Sequence, residues 1–118
     1  MGQNTCSCPN PPGGEVTCGD HQVAICRVED GKVRGSCIDV PDGIATLTEL
    51  REAIIEFSHP NFVNALSLAI TGSKYSGIFN EAIELAESIT TGRYTSSDGV
   101  VAWITLPEDI SSTGTATA

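Results

Sequence analysis

The apolar positions change period twice along the chain, and the changes divide it into three segments. Up to Pro41 the signals are turns and short alternating runs. Pro9, Pro11, Pro12, Gly13 and Gly14 form a loop that cannot be helical. Residues 15–18 read as a short strand, followed by a turn at Gly19-Asp20. Residues 23–29 and 32–40 read as two strands joined by Asp30-Gly31, a dipeptide suited to the positive φ angles of a tight hairpin. The expectation is a three-stranded antiparallel meander.

From Thr46 the period becomes helical. Thr46-Leu47-Thr48-Glu49 is a capping box, in which hydroxyl and carboxylate each reach a free backbone N–H. Leu47, Leu50, Ile54 and Phe57 follow on one face until Pro60 ends the helix. A second helix is predicted over 61–71, with Phe62, Leu66, Ala69 and Ile70 inward. A third is predicted over 77–91, with Phe79, Ala82, Ile83, Ala86 and Ile89 inward; Gly72 and Gly92 supply the left-handed stops. Residues 93–96 and 100–106 are strand-like and flank Ser97-Asp98-Gly99, which predicts a C-terminal hairpin. Its second strand, with Trp103, is apolar nearly throughout and reads as buried on both faces. The tail after 110 contains nothing to bury.

The predicted fold is therefore α+β. A Cys-rich three-stranded antiparallel meander (1–41) precedes a body of three helices with a C-terminal β-hairpin (42–110) and a disordered tail (111–118). The 118 residues suit one compact domain with at most a small satellite. Charge is divided unevenly between the parts. Residues 1–41 hold five acidic and three basic side chains, so −7 of the net −9 lies with the helices beyond. That acidity argues against gripping nucleic acid phosphates and against anionic membrane surfaces. It leaves a protein partner, a basic one by electrostatic steering, as the expected ligand.

Chemistry concentrates in the cysteines. All five, Cys6, Cys8, Cys18, Cys26 and Cys37, precede residue 38, with His21 among them. A unit of about 40 residues with few large apolar side chains needs a metal, a disulfide or a partner to hold its fold. With Asp30-Gly31 as the turn, Cys37 falls opposite Ala24, at the same end as Cys18 and His21. Cys6-Ser7-Cys8, on a flexible Pro/Gly-rich lead, folds over to complete a tetrahedral set. Soft sulfur ligands in that number suit structural Zn2+, with Cys6, Cys8, Cys18 and Cys37 as the leading ligands and His21 or Cys26 as alternatives. Cys26 reads equally as a small buried side chain. Its face depends on the hairpin: a two-residue loop puts it on the face of Cys37, and a three-residue loop opposite.

Three functions follow from the same residues. The first is a small zinc-stabilised interaction module, adaptor or regulatory, in the cytoplasm, since no secretory leader precedes Cys6. The second is a thiol-redox protein using the Cys6/Cys8 pair, although no Cys-x-x-Cys is present. The third is a secreted, disulfide-stapled binding domain. Outside the cysteines no nucleophile elbow or phosphate loop is visible. The acidic rows Glu49/Glu52/Glu56 and Glu81/Glu84/Glu87 read as solvated helix faces, and the helices lack the Glu-x-x-His of a di-iron bundle.

Overall fold

The computed structural model describes residues 4–8, 14–19, 21–107 and 110, with 4–8, 14 and 15 described as backbone. Nine elements follow in chain order: β1 (Asn4–Cys8), β2 (Gly14–Cys18), β3 (Gln22–Glu29), β4 (Lys32–Asp39), α1 (Leu47–Ile55), α2 (Pro60–Thr71), α3 (Phe79–Thr91), β5 (Arg93–Thr95) and β6 (Val101–Thr105). The architecture is α+β, with a four-stranded antiparallel sheet ordered β4-β3-β6-β5 and a separate β1-β2 hairpin.

Asp30-Gly31 makes the two-residue turn expected of it. Both residues have positive φ, 54° and 74°, which matches the twist of the strands they join. Glu29 then pairs with Lys32, Cys26 with Gly35 and Ala24 with Cys37. This register puts Cys26 and Cys37 on one face of the sheet.

The predicted meander needs correction at its first strand. β2 pairs with β1, from Asn4↔Cys18 to Cys8↔Gly14, and not with β3. The second edge of β3 is taken instead by β6, with Cys26 opposite Trp103. A strand with Val23-Ala24-Ile25-Cys26 is apolar on both sides, so it gains most as a central strand covered on both faces. Val23 to Cys26 are all fully buried. Cys6-Ser7-Cys8, expected on a flexible lead, is strand β1.

The two faces of the sheet differ. Val23, Ile25, Ala102 and Ile104 face the helices and join Leu50, Ile54, Val63, Leu66, Ile70, Leu85 and Ile89 in the principal core. Strands from both predicted parts of the chain thus share one sheet and one core. Ala24, Cys26, Val28, Val33 and Trp103 line the opposite face, where they pack with Val16 and Cys18 of β2. Trp103 is half-buried on this outer face rather than part of the principal core.

Two helix ends differ from the expectation: α1 stops at Ile55, ahead of Pro60, with Phe57 in the left-handed region at φ 54°, and α3 starts at Phe79, which is exposed rather than inward. The remaining ends follow their sequences. Thr46 Oγ1 accepts from the Glu49 N–H at 3.1 Å, and the Glu49 carboxylate accepts from the Thr46 N–H at 3.1 Å. Pro60 is the first residue of α2, where its missing N–H costs nothing. Gly72 and Gly92 close α2 and α3 in the left-handed conformation, at φ 82° and 79°.

Candidate functional site

The outer face of the sheet holds the cysteine chemistry. β1 packs over β3 and β6, and β2 over β3 and β4. Cys18 and Cys37 join the two layers through a disulfide, with Cα atoms 5.5 Å apart. That separation is well short of the roughly 10 Å between ordinary stacked sheets. Only small side chains permit it, and the residues beneath β2 are small. A Cβ built on Gly35 would overlap a methyl of Val16. Ala24, opposite Cys37, is fully buried.

The sulfurs sit at the layer boundary. Cys18 Sγ lies 3.6 Å from the Ser36 carbonyl oxygen, and Cys37 Sγ 3.7 Å from that of Thr17. Cys18 is buried to 3% exposure, so the bridge is shielded from solvent on that side. Cys26 is fully buried and is itself disulfide-bonded.

The expected zinc set fares unevenly. Cys18 and Cys37 do come together, at the end of the sheet where Cys37 faces Ala24, but their sulfurs are bonded to each other. A disulfide offers no thiolate to a metal. His21, the alternative ligand, has left-handed φ (57°), and its Nε2 lies 3.3 Å from the Pro41 carbonyl oxygen. A carbonyl only accepts, so that nitrogen carries the proton. Cys6 and Cys8 lie on β1 with side chains outside the described residues. Among the described residues no group of three or more His, Cys, Asp or Glu is disposed to hold a metal ion.

Two further features carry no signal in the sequence. Glu29, Asp30, Glu81 and Asp98 line a cavity of about 640 Å³ with Tyr94 and Gly72. Burial pushes the Tyr94 phenol above its ordinary range, and the carboxylates of Glu84, Asp98 and Glu81 add to the effect. Beside it, Arg27 is ion-paired to Glu29. On the outer face, the Arg93 guanidinium carbon lies 5.9 Å from the centroid of the Trp103 ring, within cation–π range.

No helix among the described residues is long and apolar enough to cross a membrane. Comparison with protein-family models, with curated proteins and with solved structures yields no match.

Proposed function

We propose that this chain is a disulfide-stapled binding domain that acts in an oxidising compartment. The observation that carries the reading is the Cys18–Cys37 bridge across two β layers. Bridges of this kind persist outside the reducing cytoplasm, where they substitute for the hydrophobic core that a small unit lacks. The bridge is the reason for preferring such a compartment over the cytoplasmic expectation. The same sulfurs serve zinc only when reduced, so the two readings exclude each other in one molecule. The acidic helical body supports a basic protein as the partner, since charge of one sign steers the other on approach.

Intact mass of protein purified without reductant or chelator tests the reading. With Cys18–Cys37 and Cys26 both oxidised, the chain weighs about 4 Da less than its fully reduced form, two hydrogens leaving with each bridge. Full reduced mass together with about one zinc per chain under native conditions overturns it in favour of the zinc-stabilised module. For the partner, a lysine-rich peptide should bind more tightly than a glutamate-rich one and weaken as salt rises. Equal affinity for both removes the basic partner from the proposal.

A further inference from the structure

We infer that Cys26 is bridged to Cys6 of β1, which leaves Cys8 as the fifth, unpaired thiol. The inference rests on the disulfide reading above and extends it to the connectivity.

The chain has five cysteines, and Cys18 and Cys37 are bonded to each other. Cys26 is oxidised, so within one chain its partner is Cys6 or Cys8. Strand register decides between them. Val16 lies over Gly35, and two residues later Cys18 is bonded to Cys37. β2 therefore runs along β4 in the same direction, one residue for one. Each pair in the β1-β2 hairpin then overlies a pair in the sheet. Asn4↔Cys18 lies over Ala24↔Cys37, Cys6↔Val16 over Cys26↔Gly35, and Cys8↔Gly14 over Val28↔Val33. Cys6 is thus stacked on Cys26, whereas Cys8 is stacked on Val28.

Three observations agree with this stacking. β1 packs on β3, the strand that carries Cys26. Positions 4, 6 and 8 share a hairpin face with 14, 16 and 18, by the two-residue period of a strand. Val16 and Cys18 pack on the sheet, so that face is the inner one. Finally, the layers lie close together at the Cys6 pair and at the pair beside it. The neighbouring pair is held at a Cα separation of 5.5 Å, and the Val16 methyl touches Gly35 with no room for a Cβ. Bridged cysteines need Cα atoms about 4.4 to 6.8 Å apart, and the Cys18–Cys37 pair, two residues along from Val16 and Gly35, lies within that range.

The consequence is a two-point clamp. One bridge fixes β2 to β4 and the next fixes β1 to β3, so the hairpin can neither slide nor pivot. Each bridge forms when two thiols lose two protons and two electrons. A low-molecular-weight disulfide accepts them through thiol–disulfide exchange and leaves as two thiols.

The test is alkylation of denatured, unreduced protein, followed by cleavage at Glu and Asp and fragmentation of the peptides. The expected result is one alkyl label, on Cys8, with the 1–15 peptide joined through Cys6 to the peptide carrying Cys26. A single label on Cys6 or on Cys26 overturns the inference but leaves the disulfide reading standing. Three labels, with only Cys18–Cys37 intact, do the same. Five labels overturn both. As a second arm, Cys8→Ser should take no label at all and keep the wild-type denaturation midpoint, whereas two labels in that variant reject the pairing.

Discussion

Gly35 shows how a single missing side chain sets the spacing of two layers. It sits in mid-strand without positive φ, so its role is not conformational. Its Cβ would overlap a methyl of Val16, a β-branched side chain with little rotamer freedom to move aside. Gly35→Ala should therefore lower stability by about 1–3 kcal/mol through overpacking. Adding Val16→Ala should return part of the loss, because the two substitutions act on one contact and are not additive. Urea denaturation of the two single variants and the double variant measures the coupling. A neutral Gly35→Ala would mean that the hairpin does not lie this close in solution. Tyr94 offers a second residue-level check. Its phenol is raised by burial first and by Glu84, Asp98 and Glu81 after it. A folded pKa above the unfolded value of about 10 means that the native state holds its proton longer. The stability this contributes is complete below the unfolded value and is lost as pH rises through the folded one. Tyr94→Phe should flatten that alkaline decline, and Asp98→Asn should bring the phenol's titration, followed by tyrosinate absorbance, to lower pH.

At the level of elements, caps and turns translate directly, the reach of α1 to Pro60 and the inward placing of Phe79 do not, and distant pairings do not either. The capping box at Thr46 forms with both reciprocal hydrogen bonds, and Thr46→Ala should cost about 1 kcal/mol in thermal or chemical denaturation. An unchanged midpoint would mean that α1 draws its stability from Leu50 and Ile54 in the core and little from its cap. The Asp30-Gly31 turn, the left-handed stops at Gly72 and Gly92 and the Arg93–Thr105 hairpin are legible for the same reason. Each is decided by neighbours within a few residues. The partner of β2 and the insertion of β6 beside β3 are not, because strand order is set by which faces find cover, across about 80 residues of chain. β1 escapes the sequence for a different reason. Asn4-Thr5-Cys6-Ser7-Cys8 has no apolar alternation, and its period-two signal is carried by cysteine alone. Taken as that signal, Cys-x-Cys already places both sulfurs on one face of a strand. The nearness of Cys18 to Cys37 follows from the turn, but spacing is the same for a metal pair and a disulfide, so the bond between them is beyond the sequence.

For the whole molecule, the apolar residues form two clusters of unequal size that share the sheet between them. The larger joins the inner sheet face to all three helices and contains no cysteine. The smaller holds the outer face under the β1-β2 hairpin and contains Cys18 and Cys26. Ala24, Val16, Val28 and Val33 bury little area compared with the Ile and Leu of the larger cluster, so at about 25 cal/mol per Å² the hairpin depends on its crosslinks to stay docked. The Cys18–Cys37 bridge spans a sequence separation of 19, and a loop of that size is worth about 3 kcal/mol in the chain-entropy account. Reduction should then act on one layer alone. The hairpin should undock while the helices and the sheet beneath them persist, because the contacts that hold those elements lie on the opposite face. Trp103, the only tryptophan, lies on the face that would be uncovered. Its fluorescence should shift to the red on reduction while helical circular dichroism stays near its starting value, and the denaturant midpoint should fall. Loss of the helical signal together with the tryptophan shift would show that the two clusters unfold as one unit and that the disulfides hold the entire fold.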